Sequence, residues 1–234
     1  IYSPLRRVTA LVNQKAVSML KEQIGNNGDR GDVPESLQGL LHELRQPAQE
    51  PPPERTGPVQ PLFLGLLPTR ACNLSCVYCD FGASESPGEQ MDFQMATAAV
   101  DWMAENAQSL GQDTVEGHFF GGEPVFAEEV VDVAIHRARA VAGRMGIVPR
   151  FEVATNGVFD ENRARFVGDY FDTVVLSFDG TQEIHDRHRG SFETVKRTAE
   201  ILSRSPTELC FRVCVSQESV AQLEQIVLWF CENF

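Results

Sequence analysis

The 234-residue chain is 42% hydrophobic and 23% charged, proportions of an ordinary folded protein that exclude disorder throughout, and it is long enough to bury a core without disulfide staples. A net charge of −13 argues against a nucleic-acid partner, whose phosphates call for a basic surface. With no apolar run long enough to span a bilayer and no secretory signal at IYSPLRRVTA, no membrane association and a cytoplasmic location are expected.

In chain order, VTALVNQKAVSMLKEQI (8–24) predicts a short strand running into an amphipathic helix. GNNGDRGD (25–32) predicts a flexible turn, and PESLQGLLHELR (34–45) a second short helix. Residues 1–46 are therefore expected to form a small, mainly helical appendage. Pro47, Pro51, Pro52, Pro53, Pro58 and Pro61 make 47–61 an extended linker. Up to residue 61 acidic and basic side chains balance, so the whole negative excess belongs to 62–234.

From Leu62 a strand–helix rhythm begins. β-rich stretches at 62–68, 114–120, 150–155, 173–178 and 208–216 are each followed by a helical pattern. The first helix, near 92–109, repeats apolar residues at Phe93, Ala96, Val100, Met103 and Ala107. The second starts at Glu128 and Glu129 and ends among Arg137, Arg139 and Arg144, charges that suit the helix dipole. The last opens with Ser219 and Gln222 at capping-box spacing, with Val220, Leu223, Val227 and Phe230 on one face. Five such units in series imply an α/β fold around a parallel sheet, doubly wound or barrel-like. The chain stops in the fifth helix, so a barrel of more strands is expected to be incomplete.

In such arrays the functional loops lie at the carboxyl ends of the strands. After the first strand, Cys72, Cys76 and Cys79 stand at offsets of four and three. Three thiols on one loop can converge on a metal centre, and thiolates select zinc or iron–sulfur clusters. No second cysteine pair stands nearby to complete structural zinc, whereas three thiols suit a four-iron cluster with one iron left open. A redox Cys76–Cys79 pair with a separate Cys72 is the alternative. After the second strand, Gly121 and Gly122 allow close approach of a ligand to the backbone, and Glu123 can receive an ammonium. Ala154-Thr155-Asn156-Gly157 and Ser177-Phe178-Asp179-Gly180 close the next two strands. Each alone reads equally as turn or capping chemistry.

Together these motifs resemble the radical S-adenosylmethionine (SAM) superfamily. The cysteine loop is similar to its C-x3-C-x2-C signature, with Tyr78 before the last cysteine, and Gly121-Gly122-Glu123 to its GGE motif. SFDGTQEIHDRHRG (177–190), followed by SFETV, looks like the SPASM-containing branch of peptide maturases and anaerobic sulfatase-maturating enzymes. YSPLRRVTALVN resembles, more loosely, the leader segment of several peptide maturases. The resemblance implies a partial radical SAM (β/α) barrel over 62–234, C-terminally incomplete and so without the branch's auxiliary-cluster region.

It further implies an oxidoreductase in which Cys72, Cys76 and Cys79 hold a [4Fe–4S] cluster and SAM chelates the fourth iron. Glu123, with the backbone at Gly121 and Gly122, would hold the SAM amine, and Tyr78 would lie beside the adenine. Thr155 and Ser177, with Asp179, would bind the ribose or carboxylate end. A flavodoxin or ferredoxin would deliver the electron that cleaves SAM to a 5′-deoxyadenosyl radical, which abstracts hydrogen from a peptide or protein. Alternatives are a sulfatase-maturating enzyme and, in another class, a non-catalytic iron–sulfur or zinc module.

Strand alternation puts Cys210, Arg212 and Cys214 on the inward face of the fifth strand, with Leu209, Phe211, Val213 and Val215 under the helices. Arg212 is thus a candidate contact for the cofactor carboxylate or an acidic substrate. The two thiols read first as small buried side chains, and Cys231 as core or a domain contact. His185, Asp186, His188 and Arg189 mimic a metal site but read as surface or structural. His118 reads as a hydrogen-bonded core histidine.

Overall fold

The computed structural model describes residues 1–25, 33–51, 61, 63–81 and 89–234. The expected turn at 25–32 and the centre of the proline run lie almost wholly outside the described residues. Two compact units are present, Ile1–Val59 and Gln60–Phe234. Among the described residues no helix is long and apolar enough to cross a membrane.

In the first unit, β1 (Tyr2–Ser3) and β2 (Val8–Thr9) pair antiparallel around a 3-10 turn at Pro4–Arg6. Asn13 accepts the Ala16 N–H at 2.9 Å and starts α1 (Gln14–Gly25). Pro34 precedes α2 (Glu35–Arg45), the position where a missing N–H costs nothing. Ala16, Leu20 and Leu41 supply the buried apolar side chains.

The second unit is a five-stranded parallel sheet, β3 (Leu64–Leu66), β4 (Thr114–Phe119), β5 (Val148–Thr155), β6 (Thr173–Ser177) and β7 (Glu208–Arg212). Its spatial order follows chain order without reversal. A doubly wound sheet reverses at its switch point, so the barrel alternative is the one adopted, as an open arc ending at β3 and β7. α3 (Phe93–Ser109), α4 (Glu128–Met145) and α5 (Glu161–Tyr170) connect the first four strands. Two helices, α6 (Gln182–His188) and α7 (Phe192–Leu202), lie between β6 and β7, and α8 (Leu223–Asn233) follows β7.

Side-chain alternation fixes the two faces of the sheet. Leu66, Phe119, Phe151, Val153, Val174 and Leu176 join the apolar core with Val130, Val131, Ile135, Val195 and Leu202 of α4 and α7. The opposite face carries His118, Glu152, Ser177 and Arg212. His118 stacks on Phe63 at 4.5 Å and lies 3.6 Å from both Glu116 and Glu152, so it belongs to this open face and not to the core.

Local signals set most helix ends. Asp92 accepts the Gln94 N–H at 2.6 Å to start α3, and Asp160 accepts the Arg163 N–H at 2.8 Å to start α5. The capping box expected at Ser219 and Gln222 does not form. Ser219 Oγ is engaged with the Ser216 N–H at 2.9 Å, Val220–Gln222 is a 3-10 turn, and α8 begins only at Leu223. That delay rotates the helix: Ile226 is buried and Trp229 and Phe230 pack on the core, while Val220 and Val227 are exposed.

Candidate functional site

The cysteine loop leaves β3 and is shaped by Thr69, whose buried hydroxyl donates to Glu89 O and accepts the Ala71 N–H. The loop after β4 is zipped along it: Gly122 N–H donates to Thr69 O at 3.2 Å and Glu123 N–H to Ala71 O at 2.8 Å. A Cβ at Gly122 would sit 2.2 Å from Ala71 O, and Gly121 has φ +140, so both positions require glycine. The paired glycines thus hold two strand-end loops in backbone contact.

One cavity at the carboxyl end of the sheet, about 300 Å³ and partly open to solvent, gathers most of the expected residues. Cys72, Cys76, Tyr78, Cys79, Gly121, Gly122, Thr155, Ser177 and Arg212 all line it. Phe120, Ala154, Asn156 and Arg189 join them. Cys210, Cys214 and Cys231 do not line it, and Cys231 is exposed and not core.

Glu123 and Asp179 are buried and hydrogen-bonded within the chain. Glu123 is 1% exposed. Its Oε1 accepts the Val125 N–H and the Thr155 hydroxyl, and its Oε2 accepts the Asn156 N–H at 2.6 Å. One of these bonds stays within its own loop, and two, from Thr155 and Asn156, tie it to the end of β5 and use the Thr155 hydroxyl proton. Burial pushes the Glu123 carboxyl up to about 7, against the three hydrogen bonds.

Asp179 is fully buried, and accepts from the Tyr78 hydroxyl, from Arg189 Nε at 3.0 Å and from the Cys214 N–H at 2.9 Å. Burial raises this carboxyl, but the Cys214 and Tyr78 hydrogen bonds and the Arg189 charge outweigh it and hold it below its usual range. Gly180, at φ +103, packs its backbone on Ile226, where a Cβ would come within 2.7 Å. Phe178 is fully buried against Phe192, Phe211, Trp229 and Phe230, anchoring the turn that carries Ser177.

The donor set fits an iron–sulfur cluster: Cys72, Cys76 and Cys79 line one cavity, and soft thiolates suit such clusters. Cys72 Sγ accepts from Leu74 N–H at 3.4 Å and Asn156 Nδ2 at 3.5 Å, and Cys76 Sγ lies 3.9 Å from Arg189 Nη1. Sulfurs served by N–H donors are prepared to carry charge. Burial raises both thiols in the metal-free chain, so metal binding releases their protons.

Two contributors were hidden in the sequence. Asn156 stood only inside a turn motif, yet its amide also bonds Asn73 Oδ1 and accepts the Val158 N–H. Of the stretch that reads as surface or structural, His185 and His188 are buried and structural, whereas Arg189 reaches the cavity.

The family model of the radical SAM superfamily matches residues 66–230. A cysteine-type anaerobic sulfatase-maturating enzyme of Clostridium perfringens is 26% identical over 185 residues, covering 74% of this chain and 49% of that protein. The mycofactocin maturase of Mycolicibacterium smegmatis is 26% identical over 163 residues, covering 67% and 38% respectively. The solved structure of native anSMEcpe with bound AdoMet and Cp18Cys peptide superposes with a TM-score of 0.64 at 25% identity, covering 73% of this chain and 48% of that one. The chain spans about half the length, or less, of these relatives.

Proposed function

The chain belongs to the radical SAM superfamily, and from that premise we propose that its second unit holds a [4Fe–4S] cluster and SAM for reductive SAM cleavage. The observation that carries this reading is the convergence of Cys72, Cys76 and Cys79 with Gly121 and Gly122 on one cavity. The chemistry supplied there, when both groups are bound, is one-electron cleavage of the sulfonium and hydrogen-atom abstraction from a substrate.

The chain's own residues bind and orient. Cys72, Cys76 and Cys79 would hold the cluster, with three thiolates leaving it room for SAM. The Gly121–Gly122 backbone would wall the methionyl end of SAM, and Arg212, exposed on the cavity wall, would answer its carboxylate. Ser177 and Tyr78 would line the nucleoside part. Glu123 would brace Thr155 and Asn156 beneath that site.

The substrate is a peptide or protein side chain, and residues 1–46 are a candidate peptide-binding appendage. A ribosomal-peptide maturase is the leading reading; the 26% identity to a sulfatase-maturating enzyme supports the second. A low-potential one-electron donor such as flavodoxin or ferredoxin is the reductant. Anaerobic reconstitution with iron and sulfide, reduction, and detection of 5′-deoxyadenosine and methionine test the assignment. A Cys72→Ala chain that keeps both cluster and products overturns it in favour of another role. Separate incubations with a sulfatase-motif peptide and with leader-bearing precursor peptides distinguish the substrate readings.

A further inference from the structure

The end of α6 grips the cysteine loop at two successive residues. His188 O accepts the Val77 N–H at 3.0 Å, and Arg189 Nη1 points to Cys76 Sγ at 3.9 Å. The Arg189 guanidinium lies 5.1 Å from the Tyr78 ring centroid and is only 10% exposed. Its Nε donates to Asp179, which also takes the Tyr78 hydroxyl and the Cys214 N–H. The guanidinium is therefore fixed by an anion that is itself fixed from two other directions, and one arm of its fork is left for sulfur.

The three thiols are not served alike. Cys72 receives neutral donors, a backbone N–H and an amide, whereas Cys76 receives a full positive charge. Charge and N–H···S bonds are two of the levers that set an iron–sulfur potential. Adding one electron lowers the cluster's net charge by one, and a guanidinium beside one thiolate favours that reduced state.

We propose that Arg189 is a positioning residue that raises the reduction potential of the cluster through Cys76, with Asp179 holding it in place. The proposal rests on the radical SAM reading. It differs from a purely structural role, in which Arg189 only neutralises Asp179, and from a cofactor-ligand role, which Arg212 is better placed to fill. Arg212 is exposed on the cavity wall, and its side chain has no hydrogen-bond partner among the described residues.

The test is a potentiometric titration of the reconstituted full chain, followed by electron paramagnetic resonance of the reduced cluster, for wild type, Arg189→Gln and Arg189→Lys. Arg189→Gln is expected to shift the one-electron reduction equilibrium about tenfold toward the oxidised cluster, 59 mV more negative. Arg189→Lys, which keeps the charge, is expected to shift it less, in the same direction. Should Arg189→Gln not fold, the wild-type protein labelled with 15N-arginine carries the test. A 15N coupling to the reduced cluster that Arg189→Lys abolishes is then expected, and its absence overturns the proposal. Equal potentials in wild type and folded Arg189→Gln also overturn it, as does loss of SAM binding with the potential unmoved. A wild-type chain that assembles no cluster overturns the radical SAM reading itself, and the proposal with it.

Discussion

The Asn156 backbone N–H donates to Glu123 Oε2 at 2.6 Å, joining the loops that leave the adjacent strands β4 and β5. The same Asn156 reaches Cys72 Sγ through its side chain, so the buried carboxylate governs the first thiol at one remove. Glu123→Gln replaces an acceptor by a donor facing N–H groups and should cost about 2 kcal/mol, the desolvation of an unpaired buried group. Urea unfolding of the metal-free chain reads that loss. Iron retention after gel filtration should also fall, whereas a carboxylate that served only as a SAM ligand would leave both unchanged.

Two glycine-to-alanine changes should move stability in opposite directions. At Gly122 the new Cβ meets the backbone at Ala71 O (2.2 Å) and Arg70 O (2.4 Å), so a loop must shift. Overpacking of this kind costs about 1–3 kcal/mol. At Gly143, inside α4, nothing lies within 4 Å, and alanine should stabilise by about 0.5–1 kcal/mol through helix propensity. Thermal midpoints of the two variants against wild type decide it.

His185 and Glu123 should oppose each other in the pH dependence of stability. Burial lowers His185 to about 4, so as pH falls from about 6.5 to 4 the unfolded chain takes up a proton that the folded one refuses, and stability declines. Burial raises Glu123 to about 7, so as pH rises from about 4.5 to 7 the folded chain keeps a proton that the unfolded one releases, and stability declines in that direction. Each contributes about 3 kcal/mol over its window, and in the overlap they offset. His185→Gln, which can still accept the Asp179 N–H, should expose the Glu123 slope. Its urea midpoint at pH 5 should exceed that at pH 7, while the wild type shows little difference.

Alanine at Cys72, Cys76 or Cys79 should abolish iron retention, yet change the metal-free fold by no more than about 1 kcal/mol, since these side chains are at most partly buried. Cys210→Ala, Cys214→Ala and Cys231→Ala should retain full iron, because none of these residues lines the cavity. Iron and acid-labile sulfide counts per chain check all six.

Features that depend on near neighbours were legible in the sequence. The cysteine spacing, the paired glycines and the five strand positions follow from local pattern, and even the inward face of Arg212 follows from alternation. Ser219 departs from its local pattern because the Ser216 N–H, three residues back, donates to its hydroxyl and α8 starts later. The hydrogen-bond partners of Glu123 and Asp179 were illegible for another reason: apart from Val125, they come from other loops, such as Asn156 for Glu123 and Cys214 for Asp179. Arg189 shows the same limit, since its sulfur partner lies 113 residues earlier.

That separation has a consequence for the order of assembly. The three thiols lie within eight residues and meet as soon as their loop is made. Their side-chain donors, Asn156 and Arg189, are 84 and 113 residues away from the sulfurs they serve, and arrive only once β5 and β6 have joined the sheet. Contacts this distant in sequence form late in folding. Iron and sulfide are therefore expected to load more completely onto the folded chain than onto the unfolded one, where Asn156 and Arg189 are not yet beside their sulfurs.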